Sequence, residues 1–227
     1  MRIGAHVSAA GGLWNAAVNG KKIGCEIIQI FTRPPQGGKA KPIDKNTASL
    51  FKESLQKNKI QEVYIHAPYF INLASKETRI RKNSIRIIRE ELERGSLLGC
   101  RALMFHPGSA KNLSQERGAD LIVDGINQIL DGYTGTCQLL IENSAGAGNV
   151  MGDTIEELSY FLKKSERGNE VGVCFDTQHA FASGYDLRDP KILKQTISEF
   201  DKKIGIKKLL VFHANDSKVE FNSHKDR

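Results

Sequence analysis

The chain lacks the features that would place it in a membrane or divide it into parts. No apolar run in its 227 residues approaches the roughly 18 residues that a membrane-spanning helix needs, so we expect no membrane span. No linker, low-complexity tract or shift of composition interrupts it, which predicts one domain over residues 1–227. The first residues, MRIGAHVS, already resemble a strand, so we expect no signal peptide before the fold.

Cysteine is scarce and scattered. The four cysteines are widely spaced and form no C-x-x-C pair. Three of them lie inside or beside apolar runs. This distribution predicts reduced, buried thiols in a cytoplasmic protein rather than a disulfide framework.

Positive charge, by contrast, is in excess. The chain has 33 Lys and Arg against 26 Asp and Glu, a formal net charge of +7. This balance suits a polyanionic partner such as nucleic acid, although simple solubility explains the charge equally well. The hydrophobic share of 40% and the charged share of 26% are ordinary for a globular protein.

Short apolar runs recur along the whole chain. Their starts lie 23 to 40 residues apart, which suits repeated βα units. The runs are nearly continuous rather than alternating, as in parallel strands covered on both faces. They span residues 2–8, 25–32, 62–68, 102–108, 138–144, 171–177 and 209–216. Segments with helical spacing lie between them, at residues 76–98, 118–130, 154–164 and 188–204.

Seven such units predict an α/β fold, the (β/α)8 TIM barrel, with seven βα units visible and the eighth missing from this chain. An open doubly wound sheet is the alternative. The residues at the strand ends favour the barrel, because a barrel brings all of those ends together on one face. An open sheet would spread them along an edge.

Histidines and acids stand where these strands end. A single histidine there is more often structural than functional, but scattered core histidines have no reason to share one end of successive strands with two acids. In a (β/α) barrel that end carries the active site. The residues are His6, His66, His106, Glu142, Asp176 and His213, and His179 follows in the loop after Asp176.

Imidazole nitrogens and carboxylate oxygens suit zinc and related divalent ions. Setting His6 aside leaves six candidates, which exceed the four ligands of one tetrahedral zinc, so they predict two or more ions bridged by Glu142 or Asp176. Clustered ions about 3.5–4 Å apart are used to hydrolyse phosphate esters. With the basic charge, the pattern predicts a phosphodiesterase that acts on nucleic acid.

Two loops on the same predicted face have polar or basic character. In HPGS at 106–109, Pro-Gly after a strand favours an ordinary turn over a phosphate cradle. The loop RPPQGGKAK at 33–41 is basic and rich in Pro and Gly. It could be merely a solvated loop, but its place beside the candidate ligands predicts DNA contacts by Arg33 and Gln36.

Six blocks in order resemble the endonuclease IV family of apurinic/apyrimidinic endonucleases. They are GAHVSAAGGL (4–13), HAPYFINLA (66–74), FHPGS (105–109), IENSAGAG (141–148), GVCFDTQHAFASGYD (172–186) and FHANDSK (212–218). The resemblance runs from the first residue to the last. It implies a DNA repair enzyme built on a (β/α) barrel.

The resemblance also implies roles for individual residues. Tyr69 and Phe70 match the pair that pushes into the duplex at the lesion, and Glu142 is implied as the catalytic residue nearest the attacking water. Three zinc ions are implied. The first would be held by His66, His106 and Glu142, and the second by Glu142, Asp176 and His213. The third would be held by His179 and Asp226.

The implied activity is zinc-dependent hydrolysis of the DNA phosphodiester on the 5′ side of an abasic site. The products would be a 3′-hydroxyl and a 5′-deoxyribose phosphate, and trimming of 3′ ends is also implied. The implied partner is double-stranded DNA that contains abasic sites. We expect a cytoplasmic monomer when the chain is full length.

The sequence departs from the family pattern at several positions. Gln178 stands where Cys is common, Asn222 stands where Gly is usual, and Gln36 and Gly38 replace an Arg and a Trp. The chain ends at Arg227, before the His that would complete the third zinc site and before the eighth strand with its Glu ligand. We therefore expect a truncated sequence whose activity as given is open.

Two other functions stay open from the sequence. A sugar isomerase or epimerase would use one divalent ion at the same barrel mouth. A catalytically weak fragment would bind abasic DNA without cutting it.

Overall fold

The structure, a computed structural model, describes all 227 residues. Every strand predicted from an apolar run is present. The strands are Gly4–His6 (β1), Ile27–Ile30 (β2), Glu62–His66 (β3), Ala102–Phe105 (β4), Gln138–Glu142 (β5), Gly172–Asp176 (β6) and Leu209–His213 (β7). The helices are Asn15–Lys22 (α1), Lys45–Asn58 (α2), Thr78–Leu98 (α3), Gln115–Leu130 (α4), Ile155–Lys164 (α5), Thr177–Ala182 (α6) and Pro190–Lys203 (α7), with a 3-10 turn at Ile206–Lys208.

The strand order follows the chain from β1 to β7. This order and the parallel pairing of the strands are those of the predicted TIM-barrel fold with seven βα units. The chain also divides into two compact units. The first contains Met1–Phe70, Ile87–Phe105 and Tyr133–Leu139, and the second contains Ile71–Arg86, His106–Gly132 and Leu140–Arg227.

In the second unit, parallel pairing brings the ends of three strands near one another. Glu142 on β5 pairs with Cys174 on β6. Asp176, which ends β6, pairs with His213, which ends β7. Parallel pairing therefore sets the last residues of β6 and β7 side by side, and Glu142 lies level with Cys174, two residues before the end of β6.

Burial differs between the inner and the outer strands. All residues of β4 and β6 are buried, as the continuous apolar runs predicted. β1 is exposed along its length, and β7 alternates, with Phe212 58% exposed. β1 comes first and β7 last in the strand order, so each has a neighbour on one side only.

The sequence prediction missed three helices: α1, α2 and α6. It placed His179 in a loop, which is wrong, because Thr177–Ala182 is helical. With six residues, α6 is too short to show a helical period. Its one sequence signal is Asp176, whose side chain caps the helix by accepting a hydrogen bond from the His179 amide at 3.0 Å. The Asp-x-x-His spacing is therefore that of a capped helix start.

The last residues fold back on α6. The amides of Asn222 and His224 donate to the carbonyls of Phe181 and Ala182 at 3.2 and 2.9 Å. Asn222 has a φ of 55°, in the left-handed region that Gly and Asn tolerate best. That backbone explains why Asn can stand where the family pattern has Gly.

The four cysteines are free, and Cys100, Cys137 and Cys174 are buried, as predicted. Burial raises the pKa of Cys137 to about 12, which keeps this thiol protonated at neutral pH. None of the helices has both the length and the apolar character that crossing a membrane requires.

Candidate metal centre

Glu142 lies at the centre of a polar cluster in the second unit. It ends β5 and is 1% exposed. One carboxylate oxygen, Oε1, lies 2.7 Å from Nδ1 of His213. The other, Oε2, lies 3.7 Å from Nε2 of His106. Each oxygen of one buried carboxylate therefore faces a different imidazole, as expected for a carboxylate that bridges two binding positions.

Asp176 supplies a second buried carboxylate beside the first. Its Oδ1 accepts from the His179 amide, and its Oδ2 accepts from Nδ2 of Asn215 at 2.6 Å. Oδ2 also lies 3.8 Å from Nδ1 of His213. The helix cap and the Asn215 amide thus fix the carboxylate plane and turn one oxygen towards the imidazole.

His179 completes the cluster from the first turn of α6. Its Nδ1 lies 2.8 Å from the carbonyl oxygen of Asn143, and its Nε2 lies 3.4 Å from Oδ1 of Asp226. Burial alone would lower its pKa, but Asp226, Asp176 and Glu142 outweigh burial and raise the pKa of His179 to about 9. The hydrogen bond from His179 in turn lowers the pKa of Asp226.

Gln178 helps to place Asp226. Its side chain is buried, and Nε2 donates to the carbonyl of Lys225 at 3.1 Å. The bond tethers the tail one residue before Asp226, close to the imidazole of His179. Gln178, which stands where Cys is common in the family pattern, therefore makes a bracing contact.

The donor set of the second unit suits a divalent cation such as zinc. Two donors on one tetrahedral zinc, each about 2.0–2.2 Å from the ion, lie about 3.3–3.6 Å apart. The separation of His179 from Asp226 is 3.4 Å, within this range, and those of His106 from Glu142 and of His213 from Asp176, 3.7 and 3.8 Å, lie just above it. Ligand atoms of Glu142 and Asp176 lie within 4.8 Å of each other, and buried carboxylates this close together need compensating positive charge. Nitrogen and oxygen donors at this spacing, around two buried acids, suit divalent cations.

Cys174 is a candidate that the sequence prediction did not include. Ligand atoms of Glu142, Cys174 and His213 lie within 4.8 Å of one another. Burial raises the pKa of the Cys174 thiol well above its usual value, and Glu142 and Asp176 raise it further. Because only the thiolate is a good ligand, Cys174 is the weakest donor of the cluster.

In the first unit, His66 ends β3 among aromatic rings. Its Nδ1 lies 2.7 Å from the carbonyl oxygen of Ala67, which makes Nε2 the ring nitrogen suited to a ligand role. The ring centroids of Phe31 and Tyr69 lie 5.8 Å from that of His66. His6, at the end of β1, is bonded through Nδ1 to the side chain of Gln29 at 2.9 Å.

Two exposed aromatic residues follow His66. Tyr69 is 65% exposed and Phe70 is 37% exposed, as expected for side chains that face a partner. The Tyr69 amide donates to the carbonyl of Pro35 at 3.3 Å, so this turn and the 33–41 loop are neighbours in the first unit. Gln36 on that loop is exposed.

Arg33 has a different environment from the one predicted. It is 7% exposed, and its guanidinium donates to Glu91 at 2.7 Å and to Glu90 at 2.9 Å. Both acids lie on α3, and Thr32 also bonds to Glu91. A guanidinium buried against two carboxylates has little capacity left for a phosphate, so the structure argues against the predicted DNA contact of Arg33.

Six of the seven predicted ligands therefore meet in one unit: His106, Glu142, Asp176, His179, His213 and Asp226. Their assignment to individual ions stays a prediction. The sequence analysis missed the amides that hold the cluster, Asn143 and Asn215. The signal that could have found them is position alone, one residue after Glu142 and two after His213.

Comparisons with known proteins decide the family. The model of a family described as Xylose isomerase-like TIM barrel matches residues 19–227. A protein named "Probable endonuclease 4" from Campylobacter curvus is 41% identical over 228 residues, covering 99% of this chain and 80% of that protein. The chain belongs to the endonuclease IV family.

Two further members of the endonuclease IV family support this. A protein named "Probable endonuclease 4" from Halothermothrix orenii is 37% identical over 226 residues, and the match covers 100% of this chain and 81% of that protein. The crystal structure of endonuclease IV from Thermus thermophilus is 28% identical, with a TM-score of 0.88, and the match covers 100% of this chain and 81% of that one. The resemblance and the fold class predicted from the sequence are confirmed.

Proposed function

We propose that this chain is a zinc-dependent endonuclease of base excision repair. It hydrolyses the DNA phosphodiester on the 5′ side of an abasic site and leaves a 3′-hydroxyl and a 5′-deoxyribose phosphate. It also trims 3′ ends. The observation that carries the proposal is the buried Glu142 carboxylate. Its Oε1 faces His213 and its Oε2 faces His106.

Family membership supports the reaction class. A member of the endonuclease IV family is a nuclease, and a nuclease is a hydrolase. The proposal treats residues 1–227 as one catalytic domain, since the family model matches residues 19–227. The substrate is DNA with abasic sites, which the net charge of +7 favours.

The chain's own residues divide the work of the site. Glu142 lies between His213 and His106, where it would hold two ions and be the residue nearest the attacking water. Asp176 is oriented by Asn215 and by the α6 cap. His179 and Asp226 hold a further position at the tail. Zinc bound in up to three positions would supply a Lewis acid and would lower the pKa of the attacking water.

Tyr69, Phe70 and Gln36 form the proposed lesion contact. Tyr69 packs one edge on Phe31 and His66, yet both aromatic side chains remain exposed to a partner. Aromatic rings stack on bases without reading the sequence, which suits an enzyme that recognises a missing base. Arg33 is left out of this surface because its charge is taken up by Glu90 and Glu91.

The test uses a duplex with one tetrahydrofuran abasic analogue and a label on each end. We expect the zinc-loaded chain to nick on the 5′ side of the analogue. Glu142→Gln keeps the size of the side chain but removes its charge, and should reduce cleavage by several orders of magnitude while DNA binding is largely kept. The exposed acid Glu166 provides the matched control, Glu166→Gln, which should cut normally.

Other outcomes would replace the proposal. Near-normal nicking by Glu142→Gln would remove this residue from the mechanism. One metal ion per chain, with interconversion of ketoses and no nicking, would favour the isomerase or epimerase alternative. Tight binding of the abasic duplex without a nick would favour a DNA-binding fragment.

A further inference from the structure

Asn143 connects the buried strand end of Glu142 to two other candidate ligands. It follows β5 directly and is 3% exposed. Its amide donates to the carbonyl of Cys174 at 3.3 Å, which continues the β5–β6 ladder past the Glu142–Cys174 pair. The residue therefore lies where regular strand pairing ends and the polar cluster begins.

The side chain of Asn143 then acts as one more rung of that ladder. Its Oδ1 accepts from the amide of Asp176 at 2.6 Å, and its Nδ2 donates to the carbonyl of Asp176 at 3.1 Å. A side-chain amide that bonds both backbone groups of one residue replaces a strand partner. It fixes the backbone of Asp176, and hence the direction of the carboxylate and the start of α6.

The backbone carbonyl of Asn143 acts on a second ligand. It lies 2.8 Å from Nδ1 of His179, so Nδ1 carries the proton in this contact. Nε2 is left as the nitrogen that faces Asp226. One residue therefore determines both the position of Asp176 and the ring orientation of His179.

We propose that Asn143 is a positioning residue that orients Asp176 and His179 together for metal binding. The inference rests on the proposed function, because it takes these residues to be ligands. A purely structural asparagine would satisfy buried polar groups and contribute to stability alone. A positioning residue also sets the affinity of the metal site, since replacing a residue that hydrogen-bonds to a ligand typically changes that affinity 10- to 100-fold.

The experiment measures zinc affinity by competition with a chelator, and the visible spectrum of the Co²⁺-loaded protein, at a temperature where each variant is folded. Asn143→Ala should weaken the tightest zinc site by about 10- to 100-fold and change the Co²⁺ spectrum. Asn143→Gln keeps the amide but displaces it by one methylene. It should show a smaller loss of the same kind.

Asn127 provides the matched control. Its side chain also accepts a backbone hydrogen bond, from the amide of Glu166 at 2.9 Å, and it contacts no candidate ligand in that role. Asn127→Ala should lower the melting temperature and leave zinc affinity and the Co²⁺ spectrum unchanged.

The possible results separate this inference from the proposed function. If the unmodified chain binds zinc and nicks abasic DNA, but both Asn143 variants keep its zinc affinity and Co²⁺ spectrum, the positioning role is overturned and the nuclease proposal stands. If the unmodified chain binds no zinc, both are overturned. If Asn127→Ala weakens zinc binding as much as Asn143→Ala does, the loss is general destabilisation and the positioning role is again overturned.

Discussion

His213 Nδ1 lies 2.7 Å from Glu142 Oε1, although 71 residues separate the two in the chain. The two strands that end on them are not neighbours, since β6 lies between β5 and β7. The side chains therefore reach over the end of β6. In the metal-free protein this contact gives a buried carboxylate the donor that it needs.

Removing that donor should destabilise the metal-free protein. We expect His213→Ala to lower the free energy of unfolding by about 1.5–3 kcal/mol, the usual contribution of a hydrogen bond to a charged group. His213→Asn, whose Nδ2 can take the place of the ring Nδ1, should restore part of this loss. Urea unfolding of the metal-free variants measures the difference. Equal losses in both would show that ring packing matters rather than the hydrogen bond.

The stability of the metal-free protein should fall as the pH rises past neutrality. The pKa of His179 is raised from 6.5 to about 9, so the folded state favours the protonated ring. Its contribution is fully present below about pH 6.5 and is lost as the pH rises through about 9. A shift of this size corresponds to at most about 3 kcal/mol.

Urea unfolding at several pH values between 6 and 10 tests this dependence. His179→Gln should flatten the curve over that window. Asp226→Asn should reduce the loss, because Asp226 is the strongest influence that favours the charged ring. A curve that keeps its slope in His179→Gln would assign the pH dependence to another group.

Arg33 should contribute to stability, whereas Gln36 should contribute to DNA binding. Two guanidinium groups, of Arg33 and Arg94, contact the buried Glu91, and Arg33→Ala removes one of them. We therefore expect a loss of about 3 kcal/mol in the free energy of unfolding. Gln36→Ala should not change stability but should weaken binding to abasic duplex. Denaturation and DNA titration of the two variants measure both effects. A folded Arg33→Ala that is stable yet binds DNA poorly would restore the contact predicted from sequence.

Phe70 should distinguish damaged from intact DNA. Stacking beside the gap contributes roughly 1–3 kcal/mol per base, so Phe70→Ala should weaken binding to abasic duplex more than binding to intact duplex. Phe212, an exposed phenylalanine on β7, provides the control variant Phe212→Ala, which should affect neither duplex. An equal loss on both duplexes would mean that Phe70 supplies general adhesion rather than recognition.

Local patterns in the sequence predict much of this molecule. Continuous apolar runs predict parallel strands, because such strands are covered on both faces, and β4 and β6 match that rule fully. Regular spacing of apolar residues predicts the longer helices, such as α3 and α4. The polar residues that end successive strands predict one site, because parallel pairing brings strand ends together.

The sequence by itself therefore determined the strands, the longer helices and most of the candidate ligands. Only the tertiary structure decided that Arg33 is buried against Glu91, 58 residues away, and that Asn143 spans 33 residues to hold Asp176. The physical reason is the range of the interaction. The spacing of hydrophobic residues and the capping of helices depend on residues a few positions apart. Buried ion pairs and side-chain amide hydrogen bonds depend instead on which distant side chains the packed strands bring together.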